Sequence, residues 1–306
     1  MNLKKLLLFT LIIPLCSCSS DNEELSIITP TGAPALAFYN YSENQNFETN
    51  SGDVSNILAS MVNNSKDIVV LPTNAGIQAI QNKKLEYKIA ATITSGNLYI
   101  VSTGNDDNET MDDGDYILLF QKNQLPDLIF HYIYDDSYES NIHYVSSAQE
   151  ASACLKAGVD LTNNNAKLDY VLLAEPAITM VLKDNQTYKV FKDMQQEYKN
   201  KSDGHDMFQA SIFVSNRRKE TEIKSFLSSV EEDINNGLKN PAIIKERLAK
   251  LGEKATSLFG VNLGLIESII HKIGLGYKNA FENKEAIDKY LSVFNIGETN
   301  EEIYFK

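Results

Sequence analysis

The chain runs to 306 residues, 43% of them hydrophobic and 23% charged, with a formal net charge of −13. That is enough apolar material for more than one compact core, and the acidic balance excludes nucleic acid as a partner and electrostatic adhesion to an anionic lipid surface. At the start, MNLKK is basic, residues 6–15 are an apolar stretch, and LCSC places Cys18 after a small serine with Leu15 three positions before it. This is the pattern of a bacterial lipoprotein signal, predicted as residues 1–17 and cut before Cys18, which becomes the lipidated first residue. Residues 18–24, CSSDNEE, then read as a lipidated tether. Of the three cysteines only Cys154 remains as a free thiol, so no intramolecular disulfide is expected and stability has to come from the core. No later segment has the ~18 consecutive apolar residues of a membrane span.

Next in the chain, SIITPTGAPALAF (26–38) joins a short apolar strand, a polar turn with proline and a helical apolar spacing. IVVLPTNAGIQAI (68–80) repeats that grammar, with Asn74 placed to cap a helix whose Ile77 and Ile80 share a face. YKIAATI (87–93) and LYIVST (98–103) read as strands, and NDDNETMDDGD (105–115) as an acidic break at which the chain enters a second lobe. DYILLFQKNQLPDLIFHYI (115–133) is a looser copy, with Pro126 near the first helical turn. A strand at 142–145 precedes the helix AQEASACLKAG, ended by Gly158. Cys154 on that helix has no adjacent histidine or basic group and reads as a buried, inert thiol.

YVLLAEPAITMVL (170–182) is the last copy, YKVF (188–191) a further strand, and MFQASIFVSN (207–216) a return strand that places the way back near 204–210. Beyond residue 220 the chain is helical: Ile223, Phe226, Leu227, Val230, Ile234 and Leu238 fall on one face, Pro241 starts another helix, and GLIESIIHKIG and EAIDKYLSVF complete the set. Strands alternating with helices imply mostly parallel pairing. The predicted fold is therefore α/β with two lobes, 25–104 with 208–306 and 105–207. All four turns then lie at strand carboxyl ends, where open α/β sheets bind ligands.

Reactive constellations are missing: there is no P-loop, no G-x-S-x-G elbow, no H-E-x-x-H and no paired cysteines. His131, His143, His205 and His271 stand singly, so neither a metal site nor a cofactor is expected, and only His205 falls where it would approach a cleft. Binding needs less. Thr31 and Gly32, Thr73 and Asn74, and Asn123 with Gln124 offer hydroxyls, amides and backbone N–H groups, which serve either a shared ligand site or plain helix capping. Glu175, between a buried strand and Pro176, either sits in a helix macrodipole or accepts from a ligand N–H. Arg217, Arg218 and Arg247 are the only arginines and belong to the outer helical region, which disfavours a bidentate anion clamp. A neutral or zwitterionic small organic molecule fits best, such as a heteroaromatic ring stacked on Phe38 or Tyr39; core packing is the alternative for both rings.

The lipoprotein signal, PTGAPA, DIVVLPTN, YVLLAEPA followed by TMVL, and the terminal EEIYF resemble the substrate-binding lipoproteins of ATP-binding-cassette importers, in the nitrate, sulfonate and taurine branch that includes binders of thiamine-precursor pyrimidines. The resemblance spans nearly the whole mature chain. It implies a type II periplasmic-binding-protein fold, two α/β lobes closing on a small molecule, with Thr31, Gly32, Pro72, Thr73, Asn74 and Glu175 at the ligand. QKNQLPD departs from the family's glycine-rich turn before threonine-proline, so Asn123 and Gln124 are not carried over. The implied function is an extracytoplasmic, lipid-anchored, monomeric solute-binding protein, without enzymatic activity, that delivers a small organic molecule to a permease and its ATPase subunits. The alternatives are a cleft enzyme of the same fold acting on a small carbonyl or pyrimidine-like substrate, and a surface-anchored protein-binding module.

Overall fold

The computed structural model describes residues 24–51, 54–105, 110–135, 137–138 and 141–306, so the expected leader and the lipidation site at Cys18 lie outside the described residues. The first elements are β1 (Ile27–Pro30), α1 (Ala33–Leu36), β2 (Phe47–Asn50), α2 (Val54–Val62), β3 (Ile68–Pro72), α3 (Thr73–Lys83) and β4 (Tyr87–Thr94). The middle of the chain forms β5 (Leu98–Ser102), β6 (Ile117–Phe120), α4 (Leu125–Tyr134), β7 (Ile142–Val145), α5 (Ala148–Ala157), a short pair β8 (Val159–Asp160) and β9 (Ala166–Lys167), β10 (Tyr170–Ala174), α6 (Ala177–Asp184), β11 (Lys189–Asp193) and α7 (Met194–Lys201). The last part forms β12 (Ala210–Ser215), α8 (Glu220–Lys239), α9 (Pro241–Ala249), α10 (Lys254–Phe259), α11 (Ile266–Ile269), β13 (Leu275–Asn279) and α12 (Lys284–Ser292). Among the described residues, no helix is long and apolar enough to cross a membrane.

These strands build two large sheets, ordered β13-β4-β12-β3-β1-β2 and β11-β5-β10-β6-β7. In the first, β1 pairs in parallel with β2 and β3, and β12 runs antiparallel to both β3 and β4. β4 therefore points the same way as β1–β3, although it never pairs with them. In the second, β10, β6 and β7 are parallel, while β5 runs against both β10 and β11. The sheets are thus mostly parallel in strand direction, as alternation of strand and helix demands.

The uninterrupted apolar strands of the first sheet are explained by burial on both faces. Ile28, Val69, Leu71, Ile89 and Phe213 belong to one core cluster, whereas their chain neighbours Ile27, Ile68, Val70, Ala90, Ile212 and Val214 belong to the other, beneath Ile223, Phe226, Val230 and Ile234 of α8. Period-two alternation sends successive side chains to opposite faces, so a strand covered on both sides has no polar register. The first cluster continues into the second sheet through Ile100, Leu118, Leu119 and Leu172. Tyr198 of α7 and Tyr290 of α12 meet edge to face at 6.0 Å, which joins the helices of one lobe to those of the other.

One boundary is corrected. β5, expected to close the first lobe, pairs along its whole length with β10 of the second sheet, Leu98 opposite Ala174 and Ser102 opposite Tyr170. The chain therefore changes sheets at 95–97, before the acidic 105–115 stretch. It changes back between α7 and β12, at 202–209. The two passages touch: the Gln209 backbone N–H donates to Thr94 O at 2.9 Å, and the Gln209 side-chain amide donates to Asn97 Oδ1 at 3.3 Å.

Candidate functional site: the cleft between the sheets

Parallel strands that share a direction deliver their following turns to one edge of the sheet. The carboxyl ends of β2 and β3 in the first lobe and of β6 and β7 in the second face a common cavity of about 920 Å³. Ser51, Val54, Pro72, Asn74 and Ala75 line it from the first lobe, and Gln121, Lys122, Gln124, Tyr144 and Ser146 are among its lining residues from the second. The first turns of α3 and α4 open onto this space, which sets the positive ends of two helix dipoles at its edge. Lys122 is the one charged residue among the described lining residues.

Each wall has its own construction. In the first lobe α3 begins at Thr73 with Pro72 before it and without a side-chain cap, so Asn74 is not the cap that its sequence context suggested. The amide is thereby released from capping, and its Oδ1 is buried without a hydrogen-bond partner. In the second lobe the turn after β6 has Gln121 at φ 57° and Asn123 at φ 62°, left-handed positions that only a few residue types adopt readily. Asp127, 3% exposed, accepts the Asn123 N–H at 2.7 Å and the Tyr144 hydroxyl at 2.8 Å. His131 Nε2 lies 3.3 Å from both the Tyr144 hydroxyl and Asp127 Oδ1. Lys122 Nζ stands 4.8 Å from the centroid of the Tyr144 ring, within cation–π range.

The other residues singled out from the sequence distribute unevenly. Thr73 is fully buried, its Oγ1 2.6 Å from Ser211 Oγ, which in turn is 2.8 Å from Thr92 Oγ1. This hydroxyl chain stitches the start of α3 to β12 and β4, and Thr73 does not line the cavity. Thr31 and Gly32 follow β1, which lies between the two lining strands β2 and β3, yet the Gly32 N–H donates to Phe259 O at 2.8 Å and neither residue lines the cavity. Tyr39 is corrected outright: it is 1% exposed in the outer core, with its hydroxyl donating to Asp233 O at 3.2 Å, and Phe38 is fully buried beside it. Neither ring can stack on a ligand.

Glu175 is 5% exposed, and both of its carboxylate oxygens are engaged, accepting the Thr179 N–H at 3.0 Å and the Thr179 hydroxyl at 2.7 Å. It secures the first turn of α6. Asn123 turns its N–H inward to Asp127, whereas Gln124 lines the cavity despite its departure from the family pattern. His205 sits in the return passage with Nε2 2.8 Å from Lys289 Nζ and does not line the cavity, and no arginine does either. Burial pushes the Cys154 thiol up, with Asp160 adding to the shift, which keeps it unreactive. Among the described residues, no group of three or more His, Cys, Asp and Glu is placed to hold a metal ion.

Lys122 and Tyr144 went unremarked in the sequence. Lys122 is an ordinary polar residue in a turn, and Tyr144 alternates within a half-buried strand. Only the approach of β6 to β7 makes them neighbours.

Two sheets facing each other across a cleft, with two chain passages between them, define the periplasmic-binding-protein fold. Solved structures bear this out at low sequence identity. An ABC transporter protein from Parabacteroides distasonis superposes with a TM-score of 0.69 at 18% identity, over 89% of this chain and 91% of that one. The periplasmic aliphatic sulphonate binding protein of Escherichia coli gives 0.62 at 11% identity, over 92% and 91%. A Candida albicans protein described as defining a new family with the generic periplasmic binding protein fold gives 0.55 at 12% identity, over 91% and 92%. No family model matches the sequence, and no curated protein matches it. The likeness is one of fold, and a fold of this kind carries several functions.

Proposed function

We propose that this chain is an extracytoplasmic solute-binding protein that captures a small organic molecule between its lobes and hands it to an ABC importer. The observation that carries the reading is the cleft itself, a cavity of about 920 Å³ walled by strand ends and helix starts of both sheets, with the unpartnered Oδ1 of Asn74 at its wall. A ligand that donates one hydrogen bond to Asn74 and presents acceptors to the helix starts and to Lys122 matches the orphaned oxygen and the one charge described there. The ring-stacking partner moves from Tyr39 to Tyr144. The binding roles of Ser51, Gln121, Gln124 and Ser146 follow from the same geometry, while Thr31, Gly32, Thr73 and Glu175 support the walls from behind.

The lobes in this reading are 24–94 with 210–306, and 98–201, closing about the passages at 95–97 and 202–209. Closure presents a distinct surface to a permease, which is how occupancy is signalled. Anchoring through a lipidated Cys18 keeps the protein beside its importer. Intact mass tests that part: Cys18→Ala should lose the lipid mass and persist as unprocessed or unlipidated protein, and masses that differ only by the cysteine-to-alanine change itself would refute it.

The ligand is tested by thermal shift against pyrimidines, thiamine precursors, amino-acid derivatives, aliphatic sulfonates and nitrate. A compound at 100 times its dissociation constant should add roughly 2.7 kcal/mol of stability. The shift should vanish in Asn74→Ala combined with Lys122→Gln. A shift that survives both substitutions places the ligand elsewhere.

A further inference from the structure

We propose that Asp127 is the positioning residue of the cleft and Lys122 the group it positions, an inference that rests on reading the cleft as a ligand site. A carboxylate in the first turn of a helix ordinarily caps that turn with one oxygen. Asp127 does this through Oδ2, which accepts the Asn123 N–H at 2.7 Å. Its other oxygen reaches out of the helix and accepts the hydroxyl of Tyr144, on β7, at 2.8 Å. One buried side chain thus ties together two separate pieces of the cavity wall, the turn that bears Lys122 and the strand that bears Tyr144.

The consequence is geometric. Left-handed backbone at Gln121 and Asn123 bends the turn on either side of Lys122, and its ammonium comes to 4.8 Å from the Tyr144 ring. A lysine carries four rotatable bonds and by itself would hold no fixed position. The ring anchored by Asp127 supplies a surface on which the charge rests, at the edge of the cavity where it meets the acceptor or anionic end of a ligand. His131, 3.3 Å from both the Tyr144 hydroxyl and Asp127 Oδ1, buttresses the same pair from behind.

The experiment is calorimetric titration of the purified protein with taurine, nitrate and orotate as probes, in the wild type and in Asp127→Asn, Tyr144→Phe, Lys122→Gln and the Asp127→Asn/Tyr144→Phe double variant. Each single substitution should weaken the best-bound probe about tenfold. The double variant should be no weaker than Asp127→Asn, because both act through one contact. Tyr144→Phe keeps the ring and its packing, and serves if Asp127→Asn does not fold. Wild-type affinity in folded Tyr144→Phe, or fully additive losses in the double variant, overturns the proposal; Asp127 would then be a helix cap and nothing more. If none of the three probes binds the wild type, the ligand reading of the cleft loses its support, and the positioning claim is decided by NMR of ¹³C-labelled tyrosine. The Tyr144 ring resonance, assigned by its disappearance in Tyr144→Phe, should move in both Asp127→Asn and Lys122→Gln. A resonance unmoved in both overturns the claim.

Discussion

No protein donor reaches the buried carbonyl oxygen of Asn74, and such an orphan costs the desolvation of the group with no return from the fold. Removing it should therefore be neutral or slightly stabilising without ligand and costly with it. Asn74→Ala is expected to leave the unliganded thermal midpoint unchanged or raised, while affinity for a bound compound falls about tenfold. A midpoint that drops with affinity intact would make Asn74 a packing residue. Glu175 behaves in the opposite way. Both of its oxygens serve Thr179, so Glu175→Ala should cost about 1–2 kcal/mol in urea unfolding, the loss of a helix cap. Its effect on ligand affinity should be small. A variant as stable as the wild type that no longer binds would restore Glu175 to the ligand.

The strand–turn–helix element recurs at β1–α1, β3–α3, β6–α4 and β10–α6, and its repeated output is a helix start at the edge of a sheet. Between these elements, the passage at 95–97 is held by an unusually close backbone contact. Gly274 has φ 67°, and a Cβ there would stand 2.1 Å from the carbonyl oxygen of Gly96, itself at φ 110°. No side chain fits, and the Ser95 N–H donates to Gly274 O at 2.8 Å. Gly274→Ala should therefore destabilise by about 2–3 kcal/mol through overpacking and a left-handed backbone, read as a lowered urea midpoint at constant slope. Because the contact lies at a passage between lobes, ligand-induced compaction should also be impaired.

At the scale of the whole molecule, the return passage is an electrostatic tie. Asp206 pairs with Lys199 of α7 in one lobe, at 3.1 Å, and with Lys278 of β13 in the other. Burial raises the Asp206 carboxyl, but the hydrogen bonds and charges of Lys278 and Lys199 outweigh it and hold the group below its ordinary value. A depressed carboxyl contributes stability above its unfolded pKa, about 3.9, and loses it as pH falls through the lower folded value. Asp206→Asn should thus be less stable than the wild type above about pH 4, with the difference disappearing in stronger acid. Denaturant midpoints across that range check the sign. Small-angle scattering tests lobe closure directly: the radius of gyration should fall when a stabilising compound saturates the cleft, and an unchanged profile would count against a closing mechanism.

The amino-acid sequence by itself determined the strongly apolar elements and which of their faces are buried. Runs such as Ile68–Leu71 or Ile117–Phe120 leave no polar register, so they form strands covered on both faces, and the apolar stripe of α8 faces a core whatever its partners are. It also placed the four turns at strand ends, because a helix between parallel strands returns the chain to the same edge. What it did not contain locally was pairing. β5 joins the second sheet because β10 and β11 flank it, a choice made by residues about 70 to 90 positions away. The polar edge strand β2 carries no apolar alternation to announce it. Burial of Tyr39 required α8 to pack over it, and Lys122 and Tyr144 became a pair only when β6 lay beside β7. Local periodicity encodes which face of an element is apolar; which turn opens onto a cleft depends on long-range pairing, which only the tertiary structure decides.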